Sequence, residues 1–409
     1  MEQRKRRILV VCQHFWPENF RINDICEGFV ENDIEVDVLC GEPNYPKGEW
    51  FPGYGAWKKR EEKHEGINIY RSFEIRRKGN TNLRILLNYL SFPLSSAHRV
   101  KKLYKNHYDR VFIYQLSPVY MGKAGLKIAK KKKIPSVTYV MDLWPENLYS
   151  VLNFKNKLIR RILYKTSTKY YLKTDKLICM TKRAKEILSE RTGKPDEKIL
   201  IMPQCPEKIY SEKMTDPELV SRFGGGFNIV YAGNISPAQD FPIMIEAAKR
   251  LEADGIAASF IIVGDGMSKG DAERLVSDSG LSHRFFFEGM KPMEDIPKYT
   301  DIASGLIACL SASALLECTI PAKVMSYIAA GRPIVLAMDG EAGEIVRECE
   351  CGFAGPAGDA EALYESLKRL YEAGEEGRRE MGKRAEALYL ERFERDENLK
   401  KLIDFIFDE

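Results

Sequence analysis

The chain has 409 residues, 44% of them apolar and 30% charged, the balance of an ordinary globular protein and too hydrophobic for a disordered one. At about 100 to 200 residues per domain a single small module is excluded and two or three domains are expected. The net charge of +4 hides an asymmetry: residues 1–200 hold 40 Lys and Arg against 22 Asp and Glu, the rest 23 against 37, and within 51–200 the ratio is 34 to 12. One half is therefore basic enough to seek an anionic surface, lipid or nucleic acid.

Nine cysteines are scattered, mostly inside apolar runs, which reads as buried thiols in a reducing compartment. Cys349 and Cys351 form a C-x-C pair without the second pair or the histidine that zinc would need. Residues 1–7 are basic, but the apolar run 8–12 is shorter than the roughly 7 to 15 residues of a signal-peptide core. No stretch reaches the roughly 18 apolar residues of a spanning helix. A cytosolic protein, peripheral to the inner membrane face, is expected.

Short β-branched runs alternate with helical patterns from end to end, the signature of parallel sheets flanked by helices. Strands are predicted at 8–13, 34–40, 67–73, 110–115, 135–141, 176–180 and 198–202, and in a second series at 228–232, 257–263, 285–288, 305–309, 333–336 and 352–354. Two doubly wound α/β domains follow. The Pro203 to Pro206 break and the glycine triplet 224–226 put the boundary at 205, giving domains over 1–205 and 206–390, with a helix over 391–409 returning towards the first domain. Residues 41–66 read as one long irregular loop, rich in aromatics and so functional rather than disordered.

Chemistry concentrates where strands end. His14 follows the first strand, and Asp142 and Glu146 follow the strand at 135–141. C-terminal strand ends face the ligand crevice of a doubly wound domain, so each can touch a polar substrate, cap a helix or serve structure. Gly233-Asn234 ends the first strand of the second domain, and Gly264-Asp265-Gly266 the next. Glycines there admit a phosphate or sugar to the backbone, or simply make tight turns. Pro321-Ala322-Lys323 opens a helix, and a lysine in a first turn opposes the helix dipole unless an anion sits beside it. That makes Lys323 a candidate clamp for a departing diphosphate. The first strand lacks the G-x-G-x-x-G of a dinucleotide site, and no D-x-D, H-E-x-x-H, G-x-S-x-G or Walker lysine loop occurs. Diphosphate binding by protein donors remains, with no metal.

In the basic half, residues 83–94 alternate Leu, Ile, Tyr and Phe ahead of His98, Arg99, Lys101, Lys102 and Lys105. Lys130 to Lys133 follow, and residues 155–173 interleave Arg160, Arg161, Lys165 and Lys169 with Leu158, Ile159, Ile162 and Leu163. Such faces suit an anionic bilayer. No nucleic-acid motif accompanies them, and no nucleic-acid partner is expected.

With these residues in hand, the chain resembles the retaining GT-B glycosyltransferases of family 4, in their bacterial surface-polysaccharide branch, fucosamine-transferase-like. The resemblance rests on Ile8-Leu9-Val10-Val11 with His14-Phe15-Trp16-Pro17-Glu18, Asp142-Leu143-Trp144-Pro145-Glu146, Gly233-Asn234, Val263-Gly264-Asp265-Gly266, Phe287-Glu288-Gly289, and Pro321-Ala322-Lys323 through Tyr327 to Gly331-Arg332-Pro333. It implies two Rossmann-like domains facing a central cleft, with C-terminal helices crossing back to the first. It implies a nucleotide sugar, UDP-linked, as substrate rather than cofactor, and a lipid-linked saccharide acceptor on the first domain. Gly233, Asn234 and Lys323 would meet the diphosphate, Gly264 the nucleoside and Met290 the base, with Val324 and Tyr327 beside Lys323. His14 and Asp142 would act on the acceptor side.

Two departures stand out. The family's paired glutamates fall on Cys318 and Ser326 here, leaving Glu317 or Glu344 as substitutes only by a rearranged geometry. Gln239-Asp240 stands where a basic residue often follows the Gly233 turn. A nucleotide-sugar epimerase and a non-enzymatic binder of anionic surfaces are the alternative readings.

Overall fold

The computed structural model describes residues 4–408 except 46, 81, 153–155 and 313–317. Glu317 and Lys155 therefore lie outside the described residues. The chain divides into two compact units, one of residues 1–203 with 399–409 and one of residues 204–398. The division falls two residues before the expected boundary, and the return to the first unit comes at 399 rather than 391.

The first unit is an eight-stranded sheet of β1 (Arg7–Val11), β2 (Glu35–Cys40), β3 (Glu61–His64), β4 (Ile67–Arg71), β5 (Arg110–Gln115), β6 (Ser136–Val140), β7 (Lys176–Cys179) and β8 (Ile199–Ile201). Their order is β3-β4-β2-β1-β5-β6-β7-β8. All pairs are parallel except β3 with β4. The central strands are buried on both faces, as an all-parallel sheet between helices requires. The stretch 41–66 is thus not wholly irregular. Its last residues form the antiparallel edge strand β3, hidden in sequence because Glu61-Glu62-Lys63-His64 carries no apolar alternation. Charged side chains are what an exposed edge favours.

The second unit holds β9 (Phe227–Ala232), β10 (Ala258–Val263), β11 (Phe285–Gly289), β12 (Gly305–Cys309), β13 (Ile334–Ala337) and β14 (Gly352–Gly355). The order β11-β10-β9-β12-β13-β14 is parallel throughout. In both sheets the strand order reverses beside the first strand, at β1/β5 and at β9/β12. Such a switch point opens a crevice at the C-terminal strand ends.

The last helix, Arg395–Phe407, seats Leu399, Leu402, Ile403 and Ile406 in the first unit's core. Its C-terminal carbonyls are capped by cations from two strand starts. Arg110 donates to the Ile406 and Phe407 oxygens at 3.0 and 2.8 Å, and Lys176 to those of Phe405 and Asp408 at 2.9 and 3.0 Å. Cations there complement both the free carbonyls and the dipole. None of the nine cysteines is in a disulfide, and seven are buried.

Candidate functional site

In the second unit the loops leaving β9, β10 and β11 are stitched backbone to backbone. Gly233 N donates to Val263 O at 2.9 Å, Gly264 N to Gly289 O at 2.8 Å and Ile235 N to Asp265 O at 2.9 Å. A Cβ on Gly264 would fall 1.9 Å from the Gly233 oxygen, and one on Gly266 2.1 Å from that of Ile235. The glycines of the Val263-Gly264-Asp265-Gly266 turn are therefore demanded first by chain packing. At Gly233 the crowding is different: an added Cβ would stand 3.1 Å from Lys323 Nζ.

Lys323 is the second residue of the helix Ala322–Ala329. Its ammonium donates to the Tyr231 hydroxyl at 2.7 Å and to Gln239 Oε1 at 2.5 Å, and stands 4.1 Å from the Tyr231 ring centroid. Tyr231 in turn donates to the Asn234 carbonyl at 2.5 Å. No carboxylate pairs with Lys323 among the described residues, and burial pushes its ammonium down to about 7. Among the described residues two of its three N–H donors are thus engaged, by Tyr231 and by Gln239.

The same helix corrects two expectations. Val324 is fully buried and its N–H is bonded to Pro321 O at 2.9 Å. Tyr327 is also buried, its hydroxyl accepting from Ala232 N at 2.9 Å and lying 3.2 Å from Ile307 O. These side chains pin the helix to the end of β9 rather than facing a ligand. Asn234 and Met290 are exposed. Cys318 and Ser326 are buried, and Glu344 is exposed on the helix Glu341–Glu348.

At the C-terminal end of the first sheet, His14 is buried with Nδ1 2.9 Å from Glu18 Oε2. The other Glu18 oxygen accepts from the Asn44 and Tyr45 N–H groups at 2.7 and 2.6 Å. The imidazole stacks on Phe20 with centroids 4.8 Å apart. A carboxylate so held keeps the proton on Nδ1 and leaves Nε2 as the acceptor. Asp142 lies just past β6, its carboxyl raised by burial against opposing hydrogen bonds from the Ser117 backbone and Asn147. Glu146, open to substrate contact or to a structural role, is ion-paired with Arg191, which also donates to Trp144 O at 2.9 Å. It fastens the turn.

Comparison with known proteins decides what this scaffold belongs to. Residues 20–205 match the family described as Glycosyltransferase Family 4, and residues 220–388 the one described as Glycosyl transferases group 1. The chain is a GT-B glycosyltransferase of the group 1/family 4 type. WcaI of Escherichia coli (strain K12), a provisionally assigned colanic acid biosynthesis glycosyl transferase, is 23% identical over 345 residues, 81% of this chain and 83% of its own. The 2-deoxystreptamine glucosyltransferase of Streptomyces kanamyceticus is 29% identical over 124 residues, 29% of this chain. The amylovoran biosynthesis glycosyltransferase AmsK of Erwinia amylovora is 28% identical over 179, 42% of this chain. The chain spans only 32% and 44% of the length of those two. Among solved structures, Anabaena HepE, crystallised with UDP and glucose, superposes with a TM-score of 0.69 at 16% identity, covering 98% of each chain.

Several residues of this glycosyltransferase's crevices escaped the reading of its sequence. Tyr231 and Gln239 hold Lys323, and the only advance signal was Gln239 standing where a basic residue was expected. Beneath the C-terminal end of the first sheet runs a buried polar layer. Gln13 Nε2 donates to Asn88 Oδ1 at 2.8 Å and to Glu74 Oε2 at 3.2 Å, and Asn44 Nδ2 donates to the other Glu74 oxygen. Burial, then the charge of Glu18, raises the Glu74 carboxyl to about 8. Nothing in the run around Glu74 marks it, since its partners arrive from three other chain segments.

Proposed function

We propose that this glycosyltransferase moves a sugar from a nucleotide-diphosphate donor, UDP-linked, onto a lipid-linked saccharide acceptor in cell-surface polysaccharide synthesis, with retention and without a bound metal ion. The observation that carries the reading is Lys323, half-buried with no carboxylate partner among the described residues and tied through Tyr231 to the Gly233-Asn234 turn at the end of β9. A half-buried cation in the first turn of a helix serves a developing diphosphate charge. The acceptor hydroxyl oxygen bonds to the anomeric carbon as the bond from that carbon to the β-phosphate oxygen breaks, and the departing phosphate takes the hydroxyl proton. UDP is favoured by its presence in the HepE crystal, and polysaccharide synthesis by the names of WcaI and AmsK.

The membrane side of the reading rests on the first unit's surface. The helix Asn82–Arg99 exposes Leu83, Leu86, Leu90 and Leu94 along one stripe, and Lys157–Lys173 exposes Leu158, Ile159, Ile162 and Leu172. Lys101, Lys102, Arg160, Arg161, Lys165 and Lys169 are exposed on or just beyond these helices. Apolar side chains among cations fit an anionic bilayer. No helix among the described residues is long and apolar enough to cross a membrane.

Thermal unfolding against a panel of nucleoside diphosphates and their sugars tests the donor, because a ligand of the native state raises the midpoint with its occupancy. UDP and one UDP-sugar should raise it without added metal. No shift with any nucleotide would remove the transferase reading. Co-sedimentation with anionic vesicles should fall with salt and with Leu86→Glu/Leu90→Glu, and equal binding to neutral vesicles would remove the membrane reading.

A further inference from the structure

Arg77 stands beyond β4 at the C-terminal end of the first sheet. Its Nε donates to Asn88 Oδ1 at 2.9 Å and its backbone N–H to Asn44 Oδ1 at 3.4 Å. The guanidinium carbon is 5.7 Å from the Tyr45 ring centroid and 5.1 Å from that of Tyr89. These contacts orient the fork and hold it half-buried, yet among the described residues neither terminal nitrogen has a protein partner.

Two other half-buried arginines of the unit, Arg60 and Arg76, likewise lie over rings, those of Trp57 and Trp50, without an ion pair among the described residues. Arg7, Arg71, Arg99 and Arg191 are all paired with carboxylates, those of Asp37, Glu62, Glu61 and Glu146. The carboxyl on which the Arg77 charge acts is Glu74. With its pKa raised to about 8 by burial, Glu74 is mostly protonated at neutral pH and does not cancel the charge. A half-buried arginine whose fork is oriented by its neighbours while its two terminal nitrogens stay open is matched by a group that offers two oxygens side by side.

The geometry points to Arg77 as the residue that grips an anionic group on the acceptor, a phosphate or a carboxylate, in bidentate contact. The inference rests on the proposed acceptor role of the first unit and adds the charge of what binds there. Tyr45 and Tyr89 fix the plane of the fork, and the Asn88 contact fixes its depth.

The test measures binding by calorimetry with UDP saturating, so that the donor end is filled. The probes are glucose 1-phosphate, methyl glucuronide and neutral methyl glucoside. At least one anionic probe should bind and the neutral one should bind at least tenfold more weakly. Arg77→Gln should weaken the anionic probe at least tenfold, and Arg77→Lys, which keeps the charge without the fork, by a smaller factor. A stronger phosphate assigns the contact to a linker phosphate, and a stronger carboxylate to an acidic sugar. Equal affinity for the neutral probe, an Arg77→Gln protein that binds as the native one does, or no binding of any probe overturns the inference. UDP affinity is read separately in each protein. Its loss in the native chain with Arg77-dependent anion binding intact would sink the donor reading alone.

Discussion

The two units share the order of six parallel strands, β4-β2-β1-β5-β6-β7 and β11-β10-β9-β12-β13-β14, and differ in how they furnish the crevice at its switch point. In the second unit the C-terminal end of the sheet is made of backbone: three loops bonded amide to carbonyl through glycines, with Lys323 the cation held there by Tyr231 and Gln239. In the first unit it is made of side chains, with His14, Glu18, Asn44, Glu74, Asn88 and Arg77 bonded to one another across several chain segments. A crevice framed by tightly joined backbone suits a ligand common to many enzymes, because its shape depends little on side-chain identity. A crevice of side chains can be rebuilt residue by residue for each acceptor.

The contrast predicts that the second unit breaks where a side chain is added and the first where one is removed. The largest effect should come from Gly264→Ala. Its φ of 146° is unfavourable for alanine, and the new methyl carbon would meet the Gly233 oxygen at 1.9 Å, so more than about 4 kcal/mol of stability should be lost, in the range of severe backbone clashes. Gly280→Ala has the same sign of φ but nothing within 4 Å and should lose only about 1 kcal/mol. Urea unfolding of the two variants compares them directly. Similar midpoints would mean that the stitched loops can part, and the amide crevice would lose its rigidity.

A smaller effect, on function rather than folding, is expected at Lys323. Lys323→Ala should lower transfer by about 10² to 10³-fold, as loss of a contact to developing charge does, while unfolding stays cooperative. The pH dependence sharpens the point. The free ammonium titrates at about 7 because burial disfavours its charge. A bound diphosphate favours that charge, so binding takes up a proton above pH 7. Affinity for a nucleotide sugar should be greatest below about 7 and fall by up to about tenfold per pH unit above it. Lys323→Arg should flatten this profile, because guanidinium stays charged. A flat profile in the native protein would place the lysine away from the phosphates.

The same contrast explains what could be read from the sequence. The parallel sheets were legible because strands buried on both faces are continuous apolar runs, as in Phe260-Ile261-Ile262-Val263. The glycine turns at the strand ends and the helix opened by Pro321-Ala322-Lys323 were legible as structure, because each is written in adjacent residues. β3 was not, since an edge strand of Glu, Lys and His looks like loop. Arg77, Asn88 and Glu74 were not, because their meaning depends on partners up to 75 positions away, the separation of Gln13 from Asn88. Val324 and Tyr327 misled for the opposite reason: a motif neighbouring a binding residue is as often its support.

The smallest expected effect tests whether the first unit's layer is held by a neutral Glu74. Its folded-state carboxyl titrates at about 8, raised from an ordinary value of 4.5 by burial and then by Glu18. The folded protein therefore binds this proton more tightly than the unfolded chain does. The stabilising contribution is fully present below pH 4.5, is lost progressively as pH rises to about 8, and is constant beyond. Glu74→Gln keeps the shape and removes the titration. The new NH2 group meets the amide of Gln13 or of Asn44, each of which also donates elsewhere in the layer, so one hydrogen bond is lost. The substitution should thus cost about 1 kcal/mol near pH 5 and become stabilising near pH 9, where the native layer must hold a buried charge. Equal loss at both pH values would mean that the carboxylate is ionised throughout and paired with Arg77, which would also remove the free cation from the acceptor side.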